Sequence, residues 1–431
     1  MAAESDTALQ PGVARREAFG WAMFDFANSG YTTVVLTAVF NAYFVSTVAQ
    51  GAPWATFAWT LAIGASSALV MLAGPVVGAW ADAHAAKKRA LAITAAACIG
   101  STALLAFAGP GDLTFAALFV IASNLAFSLG ENLIAAFLPE IARPEALGRV
   151  SGWGWSLGYL GGILSLGLCL AWILTAEARG STTAASVPGT MLITAGIFAV
   201  ASLPTFVLLR ERAKPQPSSA RLSTAFARLM RTAREASRYR DLLAVFACGT
   251  LYQAGVSTVV TLAAIYASEA MGFGMQETLL LVLVVNATAA AGAFAFGYAQ
   301  DRVGNVRALC WTLIGWVAMV AVAWAATTPA LFWVAANLAG LCMGSSQSAG
   351  RALVAYFSPT DRVGEFFGLW GVATRLASIL GPITYGAVTW ISEGDHRLAI
   401  LSTGVFFVAS IGCLAFVNER RGREAAMRIV D

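Results

Sequence analysis

Two polar stripes and one arginine carry whatever chemistry this 431-residue chain performs. Trp21, Asp25, Asn28 and Thr32 recur at i, i+4, i+7 and i+11 in an otherwise apolar stretch, so they share one helical face. Asn124, Ser128, Glu131 and Asn132 form a second stripe, ended by Pro139. At a rise of 1.5 Å per residue, Asp25 and Glu131 each lie roughly 10 Å inside a span. A carboxylate at that depth must face water, a partner or a solute, because a charge in lipid costs several kcal/mol. Two acids at one depth on different helices make a coupled titrating site or a cation site. Each also has a structural alternative. Asp25 pairs with a basic group to lock helices together, or Glu131 bonds to Asn132 or a backbone carbonyl. Arg375 falls some 20 Å along its helix, near the bilayer centre. There it needs Asp25, Glu131, Glu365 or an anionic group on a solute. Tyr159, Gln253 and Gln347 are further polar contacts expected on the pathway.

Several other chemistries are excluded. Gly154 to Gly158 spells the GxSxG of a nucleophile elbow, but it lies mid-helix with no histidine base to serve it. The two histidines, His84 and His396, map to opposite membrane faces. None of the six cysteines has CxxC spacing, so neither a disulfide framework nor a metal site is expected. No Walker motif is present, and no cofactor is expected. An intramembrane enzyme would need an acid pair, histidine cluster or Ser–His dyad at one depth, and the histidines exclude most versions.

The elements that must position these residues are membrane helices. The chain is 58% hydrophobic and 12% charged, with mean hydropathy +0.71, against about 25% charged for a soluble domain. Twelve runs reach the roughly 20 residues needed to cross a bilayer. They lie at about 19–48, 55–81, 89–109, 113–138, 149–175, 189–209, 241–268, 276–300, 307–327, 330–357, 363–391 and 397–417. The expected fold is an all-α membrane protein of two pseudo-symmetric six-helix bundles, 19–209 and 241–417, flanked by tails 1–18 and 418–431. No removable signal peptide is visible at the N-terminus. Arg179 and Arg397 fall on one face and Arg375 inside a span. The remaining lysines and arginines gather in the tails, the even-numbered loops and the helix ends beside them. By the positive-inside rule both termini are cytoplasmic, and the net charge of +4 reports topology rather than nucleic-acid binding. The sequon at Asn286 lies within a span, and the outer loops are short, which favours a bacterial inner membrane. Residues 210–240 form a polar linker. From Arg221 its apolar and arginine-rich faces separate, as in an amphipathic helix lying on lipid.

The chain also repeats itself. Gly78-Ala-Trp-Ala-Asp82 returns as Gly297-Tyr-Ala-Gln-Asp301, 219 positions later, and Lys88 returns as Arg307. Two copies of one unit are a transporter's signature. Asp82 sits at a helix C-terminus, where the dipole disfavours it, so it needs cations or another helix's N-terminus. Asp82, Lys88, Asp301, Arg302, Arg307, Arg351 and Glu365 are the expected gating residues. The doubled Gly-x-x-x-Asp turn resembles the major facilitator superfamily. Trp21-Ala-Met-Phe-Asp25-Phe-Ala-Asn28-Ser29, Phe137-Leu-Pro-Glu-Ile-Ala142 and the glycine-rich tract Gly148 to Gly162 are similar to its vacuolar amino-acid-effluxer-like branch. So are Gln347-Ser-Ala-Gly-Arg351, Glu365-Phe-Phe-Gly368 and Gly381-Pro382. The resemblance implies alternating access with a solute bound between the halves, and amino-acid export in fungal members. The expectation is a monomeric secondary transporter for a small organic solute, an amino acid or relative, driven by protons or another coupling ion. A non-transporting receptor or assembly factor on the same fold, and a carrier of lipid or peptide-like substrates, are the alternatives.

Overall fold

The computed structural model describes residues 8–213, 239–271, 273, 275–393 and 395–427. The expected amphipathic helix at 221–239 lies outside them, apart from Tyr239. Among the described residues, twelve helices are long and apolar enough to cross a membrane. They are α1 Arg15–Val48, α2 Ala55–His84, α3 Lys87–Phe107, α4 Leu113–Ile141, α5 Pro144–Ala178 and α6 Ala184–Leu208. The second six are α7 Arg240–Val260, α8 Leu280–Val303, α9 Asn305–Ala325, α10 Pro329–Phe357, α11 Val363–Ile391 and α12 Arg397–Leu414. A short helix, α13 Glu419–Met427, follows.

Local chemistry sets several ends. Thr182 and Thr328 accept hydrogen bonds from the N–H groups of Ala185 and Leu331, and Asp395 from those of Arg397 and Leu398, satisfying donors that a helix start leaves bare. The repeated turn after α2 and α8 places Ala85 and Gly304, 219 positions apart, at φ +48° and +96°. Glycine adopts that left-handed backbone freely, whereas alanine costs about 1–2 kcal/mol, so the first copy of the turn is the strained one. Beyond Tyr31, α1 widens into π-helical turns at Thr32–Ala38 and Phe44–Val48.

Packing follows a twofold. Within the first half α1 lies on α5 and α6, and α3 on α4 and α6; within the second, α7 lies on α11 and α12, and α9 on α10 and α12. The halves meet along two equivalent seams, α2 with α11 and α5 with α8. Small residues make the seams close. A Cβ at Gly78 would overlap the Gly364 backbone, and one at Gly152 would overlap the Ala293 carbonyl oxygen. This tight packing lies on the side that carries both ends of the described chain. It reaches inward to Ser156, whose hydroxyl donates to the Ala290 carbonyl (2.8 Å), and to Asn132 against Gly371. Toward the other face, positions 64, 167 and 386 on α2, α5 and α11 would meet nothing within 4 Å of an added Cβ. The two halves are shut at the termini-bearing face and part toward the opposite one.

Candidate functional site

The first stripe of α1 points into the junction of the halves. Asp25 is buried, and its Oδ2 accepts a hydrogen bond from an Arg351 Nη of α10, 2.6 Å away. A buried ion pair holds only if its remaining donors are satisfied. Arg351 meets that condition, donating from Nε to the Ser151 hydroxyl (3.0 Å) and from its other Nη to the Ser151 carbonyl (2.8 Å). Trp21 and Trp155 stack on the guanidinium at 4.8 and 5.4 Å. Gly154 has no room for a side chain, because a Cβ there would run into Asp25, Arg351 and Trp21. Three helices, α1, α5 and α10, therefore build one bridge across the halves.

The second stripe faces the same region from α4. Arg375 of α11 donates to the Ser128 hydroxyl (2.7 Å), which donates to the Asn124 carbonyl (2.6 Å), and the Asn124 amide donates to Ser66 (2.5 Å). Glu131 is half-buried and interacts electrostatically with Arg375, Asp25 and Arg351. It makes no hydrogen bond or ion pair with another described residue. Arg375 uses one of its five donors on Ser128 and none on a carboxylate. So Asp25, Glu131 and Arg375 share one electrostatic neighbourhood, but the direct partner of Asp25 is Arg351, and that of Arg375 is a hydroxyl. Tyr159 lies 5.8 Å from Trp155, centroid to centroid, beside Arg351 and Glu131. Gln253 and Gln347 exchange amide hydrogen bonds at 2.6 and 3.2 Å. Among the described residues, three buried side-chain N–H groups around this centre have no hydrogen-bond partner: Asn28 Nδ2, Asn132 Nδ2 and Trp155 Nε1.

The gating residues divide. Asp82, at the end of α2, accepts from the backbone N–H of Glu365 in the first turn of α11 (2.9 Å). Asp301, at the end of α8, accepts from the backbone N–H groups of Gly148 (3.0 Å) and Arg149 (3.3 Å) at the start of α5. Each aspartate thus sits on the positive end of a helix from the other half. Arg149 adds an Nε contact to Asp301 at 3.2 Å. Of the basic residues that follow Asp82, Lys87 attracts it electrostatically without bonding to it. Lys87 pairs with Glu140, and Lys88 Nζ donates to the Leu209 carbonyl (2.6 Å) at the end of α6. Arg302 and Arg307 are exposed. Glu365 is fully buried. Sequence reasoning placed Arg351 among the gates and did not single out Ser151. Depth was the available signal: Arg351 lies six residues, roughly 9 Å, inside the end of its helix, close to the depth of Asp25.

Two six-helix halves related by a twofold, shut on one face around a buried charged centre, define a membrane transporter of the major facilitator fold rather than an enzyme. Residues 55–427 match the family described as "Vacuole effluxer Atg22 like", and the chain belongs to that family. It is 28% identical over 418 residues to the Bacillus subtilis protein described as an uncharacterized MFS-type transporter, YxiO, covering 95% of this chain and 97% of that one. To the Autophagy-related protein 22 of Yarrowia lipolytica it is 23% identical over 346 residues, covering 71% of this chain. It spans 56% of that fungal relative. Among solved structures, the proton:xylose symporter XylE, bound to a halogenated glucose, aligns with TM-score 0.70 at 13% identity, over 95% of this chain and 96% of that one.

Proposed function

We propose that the chain is a secondary active transporter that moves a small organic solute, an amino acid or a related anionic compound, by alternating access coupled to protons. The observation that carries this reading is the centre where the halves join. Arg375 has donors to spare there, beside a half-buried Glu131 that has no direct partner among the described residues. A solute carboxylate suits the planar guanidinium of Arg375, and a solute ammonium suits Glu131. The unpartnered N–H groups of Asn28, Asn132 and Trp155 supply further donors. Asp25 is charge-compensated by Arg351, which leaves Glu131 as the group whose charge a proton changes most freely. Protonation of Glu131 weakens its hold on the ammonium and releases the solute. The concentration of Lys and Arg at the termini-bearing face supports cytoplasmic termini in a bacterial inner membrane. On that orientation the arrangement is open outward, with Asp82 and Asp301 as cytoplasmic latches, and a single chain carries the whole pathway.

The test uses the full chain in proteoliposomes, with labelled amino acids driven by a pH gradient and, separately, by counterflow. Glu131→Gln is expected to abolish pH-driven flux and spare counterflow, which needs no net proton movement. Wild-type flux indifferent to a pH gradient, or a Glu131→Gln variant that still follows one, refutes the coupling.

A further inference from the structure

At the termini-bearing face, the first turn of α1 and the end of α6 enclose a recess of about 340 Å³, lined by Arg16, Glu17, Val207, Leu208 and Arg210 among others. Glu17 is buried, and its charge is already answered. Arg212 donates to it at 2.5 and 2.8 Å, and the backbone N–H of Arg210 at 3.0 Å. The guanidinium groups of Arg16 and Arg210 are exposed and bond to no described residue. The recess therefore presents two guanidinium groups with free hydrogen-bond donors, Arg210 sharing only a longer-range attraction with Glu17. Toward the bilayer the same two helices expose Phe19 (51%), Leu203 (57%) and Val207 (76%), an apolar strip starting at the recess.

The twofold supplies an internal comparison. At the start of α7, Asp241 accepts from the Asn418 backbone (2.7 Å) and from the Arg421 guanidinium (2.7 and 2.6 Å), as Glu17 does from Arg210 and Arg212. Arg240 stands where Arg16 does, and exposed Phe416 where the apolar strip begins. The position of Arg210, however, is taken by Asn418. The second half keeps the acid and its arginine clamp with asparagine in place of Arg210, and its further cation, Arg420, is paired with Glu424, so the framework does not itself require the arginine pair.

We propose that the recess of the first half seats the phosphate of an anionic phospholipid, with its acyl chains lying over Phe19, Leu203 and Val207. Two guanidiniums above a lipid-facing apolar strip match a phosphodiester headgroup in charge and in position along the membrane normal. An arginine close to an anionic lipid surface contributes about fivefold in affinity, so the pair contributes about 30-fold.

Native mass spectrometry of the purified full chain, titrated with phosphatidylglycerol or phosphatidylcholine, tests this. Wild type is expected to retain one phosphatidylglycerol in preference to phosphatidylcholine. Arg16→Gln with Arg210→Gln should weaken that retention about 30-fold, while Arg16→Lys with Arg210→Lys should keep most of it. Asn418→Arg should create a second retained phosphatidylglycerol. Unchanged retention in the double Gln variant overturns the proposal, as does equal retention of phosphatidylcholine. Displacement of the lipid by millimolar inorganic phosphate would make this a free-phosphate site and overturns it too.

Discussion

Replacing Asp82 or Asp301 with Asn keeps the shape and one acceptor oxygen but removes the charge that meets a helix N-terminus. A hydrogen bond to a charged group contributes about 1.5–3 kcal/mol and a neutral one about 1. Asp82→Asn should therefore cost the closed termini face about 0.5–2 kcal/mol, a shift of about 2- to 30-fold in the ratio of closed to open forms. Asp301→Asn loses the same and also its contact with Arg149. That side chain is 26% exposed, so screening limits the addition to under about 1 kcal/mol. The two latches share no partner residue, so the double variant should shift by about the sum. The assay places spin labels at exposed Arg89 and Arg307, which open α3 and α9 on opposite halves, with the partly exposed Cys310 and Cys413 changed to Ser. Pulsed dipolar spectroscopy should show a longer-distance population growing from wild type to single to double variant, while solute binding persists. Distance distributions that coincide with wild type refute the latch argument. So does loss of binding by both single variants while they remain folded.

Arg351→Gln leaves Asp25 buried without its counter-charge and should cost about 3–5 kcal/mol of stability; Asp25→Asn with Arg351→Gln should recover much of it, as read by thermal melting in detergent. Arg375→Ala should weaken binding most for solutes bearing a carboxylate, measured by thermal-shift titration of amino acids against their amides, and equal losses for both classes count against an anion anchor. Gly78→Leu pushes a side chain into the Gly364 backbone and should hold the termini face open. In the same spin-label assay the long distance should dominate, and a wild-type distribution would mean the seam tolerates what the geometry forbids.

The sequence determined everything that depends on periodicity and on the cost of charge in lipid. Twelve apolar runs, the 219-residue repeat and the two polar stripes follow from the 3.6-residue turn and the need to satisfy backbone groups inside the chain, and these are local rules. They place Asp25, Glu131 and Arg375 at the centre, and Asp82 and Asp301 at equivalent junctions. They do not choose partners. Asp25 meets Arg351 across 326 positions because α1, α5 and α10 cross where glycines let them approach. Arg375, with carboxylates nearby, meets the Ser128 hydroxyl instead. The latch aspartates were legible as residues needing positive charge, yet their direct hydrogen-bond partners are chiefly backbone N–H groups of the opposite half, which every non-proline residue carries and no side-chain pattern can mark. Local spacing decides which face of a helix is polar. Only the crossing of helices decides what that face meets, because contact between distant segments depends on the geometry of the whole assembly.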